Sequence, residues 1–148
     1  MNINYFIFML IIISGCSKEQ TPHKLKITAI ELNKFINPNE FILWDSLDGP
    51  DIYISIYLNK SKIFTSNRTE NENILASPIN FNLDSNIIFR SNIDDIFLNA
   101  YDADTIIDQI MEENLTLTPG FINKSPYSER ISCNFCIGEW RITYEIIE

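Results

Sequence analysis

Six aspartates in two short stretches are the residues of this chain whose types and spacing could do chemistry. The stretches are WDSLDGPDIY and YDADTIIDQ, and their aspartates are Asp45, Asp48, Asp51, Asp102, Asp104 and Asp108. Two carboxylates about 4 Å apart repel by about 4 kcal/mol at an effective dielectric of about 20, so a fold that gathers them needs a compensating group. Calcium suits this task because it takes about six to eight oxygen ligands in irregular geometry. Brought together, the two stretches would form a calcium site.

The sequence next to these aspartates predicts β-strands, which must position them. Apolar and polar residues alternate through DIYISIYL, DIFLNAY and GEWRITYEII, which is typical of strands with one buried face. The predicted core positions are Ile52, Ile54, Ile56 and Leu58; Ile96, Leu98 and Ala100; Trp140, Ile142, Tyr144 and Ile146; and Leu25 and Ile27. The only helical possibility is a turn or two around Asp104–Asn114. Short strands separated by Asn, Asp, Ser, Gly and Pro favour an antiparallel β-sandwich, in which loops at one end converge.

The amino-acid composition of the chain argues against nucleic-acid binding and against catalysis that needs histidine. The chain has 148 residues and a formal net charge of −9, which suits one globular domain with an acidic surface. The sequence has no cluster of Lys and Arg of the kind that phosphate binding needs, so we expect no nucleic-acid partner. The single histidine, His23, precedes the predicted strands, which argues against His-based triads and most zinc hydrolases. We therefore expect no enzymatic activity. The alternative that stays open is a carboxylate-based glycosidase that uses Glu139 or Glu145.

The N-terminal residues look like a targeting segment. An apolar run from Tyr5 to Ile13 is too short to span a bilayer, which takes about 20 residues, but it fits the core of a secretory signal peptide. The following ISGC resembles the lipobox of bacterial lipoproteins. This resemblance implies that residues 1–15 are removed, that Cys16 carries a lipid, and that residues 16–24 form a polar tether to a domain at 25–148. A buried strand followed by a chance Gly-Cys is the alternative.

The lipobox also implies a location and a membrane contact. The protein is expected in the bacterial cell envelope, at the outer membrane or cell surface rather than the inner membrane. Its membrane contact would be the lipid on Cys16, since each buried methylene contributes about 0.8 kcal/mol.

The two aspartate stretches resemble the calcium loops of C2 domains. Asp45 and Asp51 fall where that family's first calcium loop has aspartates, and Tyr53 falls where it has a tyrosine. The DAD at Asp102 and Asp104 is similar to the aspartates of the family's third calcium loop. The resemblance implies an eight-stranded antiparallel C2-like β-sandwich that holds Ca²⁺ through Asp45, Asp51, Asp102, Asp104 and Asp108.

Apolar residues beside these ligands bear on the partner. Leu47 lies at the first loop tip, and Ile106 and Ile107 lie at the other. They could enter a lipid interface, as in membrane-binding C2 domains, or fold back onto the core. We predict a lipid-anchored module whose aspartate loops mediate calcium-dependent binding to membrane, glycan or protein. The alternative is a metal-independent structural or interaction lipoprotein of the same fold, whose aspartates are ordinary turn residues.

A C-x-x-C pair at Cys133 and Cys136 has a structural interpretation. A zinc site would need about two more ligands. Residues three apart on a straight strand point to opposite faces, so a disulfide here requires a tight turn between the two cysteines. We expect either a local disulfide or two buried thiols.

Overall fold

The computed structural model describes residues 21–35, 51–69, 78–103, 108–119, 122, 124–132 and 138–147. These ranges contain nine strands and no helix: β1 (Lys24–Phe35), β2 (Ile52–Leu58), β3 (Ser61–Thr65), β4 (Ile79–Phe81), β5 (Ile87–Arg90), β6 (Ile96–Asp102), β7 (Gln109–Thr116), β8 (Tyr127–Ile131) and β9 (Gly138–Ile146). None of the described residues thus belongs to a helix long and apolar enough to cross a membrane.

The strands form two antiparallel sheets. One sheet has five strands in the order β4-β1-β9-β8, with β5 also paired to β1, and the other has four in the order β3-β2-β6-β7. The all-β antiparallel sandwich predicted from the sequence is confirmed. The described strands number nine rather than eight because β4 pairs with Ile30–Leu32 of β1 and β5 with Lys24–Ile27. Two short strands, separated by residues 82–86, thus share one long neighbour.

The core lies between the sheets and contains the predicted faces. Buried apolar positions alternate along β2, β6 and β9 as the sequence indicated, and Leu58 and Ile146 are partly buried against the same cluster. Isoleucine supplies much of this core, and its branched side chain packs well on a pleated surface. Burying one such side chain fully contributes about 1.5–3 kcal/mol, so the core fixes which face of each strand points inward. That choice of face also determines where each strand-end aspartate lies.

The possible helical turn around Asp104–Asn114 is not formed in the part that the structure describes. Gln109–Thr116 is β7, an antiparallel neighbour of β6. The pairing shifts register twice, Asn114 has a φ of 56°, and its N–H donates to Asn99 Oδ1 at 2.8 Å. Such a bulge interrupts the alternation of buried and exposed residues, so β7 lacks the period-two pattern of a regular strand.

Several predictions fall on residues outside the described ranges. They are the signal segment 1–15, Cys16 and the first part of the tether, the loop residues Asp45, Leu47 and Asp48, the tip residues Asp104, Ile106 and Ile107, and the cysteines Cys133 and Cys136.

Candidate acidic site at one end of the sandwich

The pairing of β2 with β6 brings the two aspartate stretches together. Ile52, the first residue of β2, lies opposite Asp102, the last residue of β6. Asp51 immediately precedes β2, so it lies at the same end of the sheet as Asp102. This pairing follows from two strands whose core faces match in register, with Ile54 opposite Ala100 and Ile56 opposite Leu98.

The Asp102 carboxylate is buried and fixed. The residue is 1% exposed, and its Oδ1 accepts the backbone N–H of Asp51 at 2.9 Å. In return, the Ala103 N–H donates to the Asp51 carbonyl oxygen at 2.9 Å. Burying a carboxylate is costly unless hydrogen bonds compensate it, so the bond from the Asp51 N–H lowers that cost. The two bonds together hold the end of the first loop against the start of the second.

Asp51 has a cationic neighbour. Its Oδ2 lies 3.6 Å from the Arg68 guanidinium NH1. The chain after β3 keeps following β2: the Ser66 N–H donates to the Ile54 carbonyl at 2.9 Å, and the Thr69 N–H donates to the Ile52 carbonyl at 2.9 Å. These bonds place the intervening Arg68 beside Asp51.

Asp108 is exposed and is reached by a tyrosine from β2. The Tyr53 hydroxyl donates to Asp108 Oδ2 at 2.6 Å, and the Tyr53 ring stacks on Tyr101 with centroids 5.0 Å apart. Partial burial, and then the bond to the negatively charged Asp108, raise the pKa of the Tyr53 phenol well above its usual value. Tyr53 therefore stays protonated and links the start of β2 to the residue before β7.

The described carboxylates fit calcium in donor type but do not form a complete site by themselves. Among the described residues, no group of three or more His, Cys, Asp and Glu side chains is arranged to hold a metal ion. Asp51, Asp102 and Asp108 instead contact Arg68, a backbone N–H and a phenol hydroxyl. The other predicted ligands, Asp45 and Asp104, lie outside the described residues.

The sequence analysis missed two features of this end of the molecule. Arg68 carried no signal, because its position depends on hydrogen bonds between distant residues. The ring stacking of Tyr53 with Tyr101 had a partial signal, since the alternation in β2 and β6 already placed both tyrosines on the face away from the core. What the alternation could not show was that these two residues lie directly opposite each other.

Comparison with known proteins supports the fold. No protein-family model matches the chain, and no curated protein matches its sequence. Among solved structures, a C2 domain of a plant extended synaptotagmin 1 is similar, with a TM-score of 0.53, 11% identity, and coverage of 87% of this chain and 99% of that one. A structure described as a C2 domain matches with a TM-score of 0.49, 12% identity, and coverage of 82% and 95%. The similarity to the plant C2 domain confirms, as a fold, the C2-like architecture that the aspartate loops implied.

Proposed function

We propose that this chain is a lipid-anchored, calcium-binding C2-like module, and not an enzyme. Its two aspartate-rich loops would mediate calcium-dependent binding to a membrane, glycan or protein. The observation that carries the proposal is the pairing of β2 with β6. This pairing sets the buried Asp102 carboxylate against the backbone N–H of Asp51, the residue before β2. Two acidic stretches that lie about 50 residues apart in the chain meet at one end of the fold.

Calcium would be held by Asp51, Asp102 and Asp108 together with Asp45 and Asp104. The ion would supply the positive charge that lets several carboxylates stand close together. On the protein side, the Asp51 N–H orients Asp102, and the Tyr53 hydroxyl orients Asp108. Leu47, Ile106 and Ile107 would flank the ion and offer apolar contacts to a partner.

The proposed anchor on Cys16 complements this site. Acylation of Cys16 would hold the domain at the outer membrane or the cell surface of a bacterial envelope. A net charge of −9 repels anionic lipid, so calcium would have to bridge any contact with an acidic membrane.

The test of the calcium site is a calorimetric titration of the purified chain with calcium. We expect saturable binding near about 10⁻⁴–10⁻³ M, the range of extracellular calcium modules. Binding should be lost in Asp102→Asn with Asp104→Asn. It should weaken in Asp108→Asn, whose exposed position makes unfolding an unconvincing explanation. Asp94→Asn, at the opposite end of β6, is the matched control and should bind normally. Absence of binding at several times these concentrations contradicts the proposal.

A separate experiment tests the anchor. Cells expressing the full chain are fed a clickable fatty acid, and the label should appear in the protein and disappear in Cys16→Ser. The Cys16→Ser chain should also leave the membrane fraction. A labelled Cys16→Ser chain would place the lipid elsewhere.

The second candidate function is a metal-independent interaction domain of the same fold. It is favoured by the site's contacts, because Arg68, Tyr53 and a backbone N–H each already contact one of the three described carboxylates. The melting temperature separates the two candidates. A calcium-binding module gains stability as calcium rises through its Kd, whereas the alternative shows no calcium-dependent change.

A further inference from the structure

The outer faces of the two sheets differ in chemistry. On the five-stranded sheet the outer face is mostly polar apart from the exposed Ile88, with Arg141 3.5 Å from Glu31 and Arg130 3.3 Å from Glu139. On the four-stranded sheet, the residues that alternate with the core positions of β2 are Tyr53, Ser55 and Tyr57, and those of β6 are Phe97, Asn99 and Tyr101. None of these six side chains is charged, and four are aromatic.

Those aromatic side chains form one layer. Tyr53 stacks on Tyr101 and Tyr57 stacks on Phe97, each pair with centroids 5.0 Å apart and rings within 15° of parallel. The Tyr57 and Tyr101 hydroxyls lie 3.4 Å apart and join the two pairs. We call Tyr53, Tyr57, Phe97 and Tyr101 the aromatic layer. All four residues are partly exposed, so water reaches them along the outer side of the sheet.

Polar side chains between the two ring pairs hold the layer in place. Asn99 is 9% exposed, and its Nδ2 donates to the Tyr101 hydroxyl at 3.2 Å while its Oδ1 accepts the Asn114 N–H. Ser55, opposite Asn99, contacts Thr65 through the two hydroxyl oxygens at 3.2 Å. The part-buried bond from Asn99 restrains Tyr101, and a ring that is already restrained loses less freedom when a ligand binds, which favours recognition.

We propose that the aromatic layer is a binding surface for a neutral glycan and that this binding does not require calcium. Phenol hydroxyls can exchange hydrogen bonds with sugar hydroxyls, and aromatic carbons can pack against the apolar C–H faces of sugar rings. The central strands present no charged side chain on this face, which suits an uncharged ligand, and charges lie at its border: Lys62 on β3, opposite Tyr57, and Asp108, which accepts the Tyr53 hydroxyl. Ile110, 57% exposed and next to the layer on β7, extends the apolar contact beyond Tyr101.

The experiment is native affinity electrophoresis of the full chain in a non-ionic detergent. The gels contain one neutral polysaccharide each: galactomannan, xyloglucan, arabinoxylan or soluble starch. Each gel is run with EDTA and again with calcium. We expect at least one polysaccharide to retard the protein equally in both conditions. Because the proposal does not depend on the calcium site, a failed calcium titration leaves this result unaffected.

Variants locate the binding on the aromatic layer. Tyr57→Ala with Phe97→Ala removes the ring pair distant from the acidic end and should weaken retardation about tenfold. Tyr57→Phe removes only a hydroxyl, preserves the packing, and should weaken it about threefold. Thr143→Ala, on the polar outer face of the other sheet, is the matched control and should behave as the unchanged chain.

Three results would overturn the proposal. The first is no retardation by any of the four polysaccharides in either buffer. The second is retardation that Tyr57→Phe and the double variant leave unchanged. The third is a self-associating chain, seen in analytical ultracentrifugation, whose association rather than glycan binding is lost in Tyr57→Phe, because the layer would then cover a second copy of the chain.

Discussion

The two ends of the β2–β6 strand pair both carry aspartates, and they use them differently. At the end distant from Asp102, Asp94 accepts the Arg90 backbone N–H at 2.7 Å and the Arg90 guanidinium at 3.1 and 3.3 Å. Asn59 adds a side-chain bond to the same carboxylate at 3.2 Å. The two groups of Arg90 lie only four residues from Asp94 in the chain, so this cluster is built mainly by one local turn.

The acidic end is assembled from distant parts of the chain instead. Asp51 comes from one stretch and Asp102 and Asp108 from another, and their partners include a backbone N–H 51 residues away, a phenol 55 residues away and one guanidinium at 3.6 Å. At the Asp94 end the aspartate has its own bidentate cation, as expected of a residue that closes a turn. At the acidic end Asp51, Asp102 and Asp108 are instead contacted by a guanidinium, a backbone N–H and a phenol hydroxyl, so neutral donors hold two of the three carboxylates.

The largest effect that tests this comparison is on stability. Asp102→Ala removes the acceptor of a part-buried N–H, and we expect it to lower the free energy of unfolding by about 2–3 kcal/mol. Asp102→Asn keeps an acceptor oxygen and should cost less. The measurement is urea unfolding without calcium, compared with Asp94→Ala, which should cost about 1 kcal/mol. Equal losses for the two alanine variants would mean that the two ends do not differ in this way.

A smaller effect concerns pH at the Asp94 end. The hydrogen bonds from the Arg90 side chain and backbone lower the pKa of Asp94 to about 2. Because this folded-state pKa lies below the unfolded value of about 3.9, the ionised carboxylate stabilises the fold fully above about pH 4, and that contribution is lost as the pH falls towards 2. Solvent screening at the exposed Arg90 keeps this contribution small.

Urea midpoints of the unchanged chain and Asp94→Asn check this. Their difference should be constant from about pH 7 to 5 and should shrink between about pH 4 and 2. A difference that is the same at about pH 2.5 as at pH 7 would show that the carboxylate charge does not contribute.

Much of the fold could be predicted because the strands carry local patterns. β2, β6 and β9 alternate regularly, so their core faces were readable from single stretches of sequence. β7 was not, because the bulge at Asn114 depends on a bond from its N–H to Asn99 on the neighbouring strand. The extra strand was not predictable either, since the separate β4 and β5 are defined by their pairing along one long β1.

The candidate site shows the same division. Asp51 and Asp102 were predicted to meet because each lies at the end of a readable strand. The neighbours of these aspartates were not predicted, because Arg68 and the stacked tyrosines depend on how strands pair rather than on what each strand contains. Sequence patterns thus indicated which side chains point away from the core. Only the register between the strands showed which of these side chains contact each other.

The smallest effect expected is on calcium affinity. It should depend on Arg68 at the acidic end and not on Arg90 at the Asp94 end. Arg68 lies 3.6 Å from Asp51 and competes with any cation drawn to that carboxylate. Arg68→Gln keeps a long polar side chain without the charge. If the proposed calcium site exists, this variant should bind calcium about two- to threefold more tightly in a calorimetric titration, since a partly exposed ion pair contributes little. Arg90→Gln is the matched control, because it removes the same charge at the Asp94 end, and its calcium affinity should not change. Equal gains in both variants would point to net charge alone, and unchanged affinity in Arg68→Gln would show that Arg68 does not compete for the site.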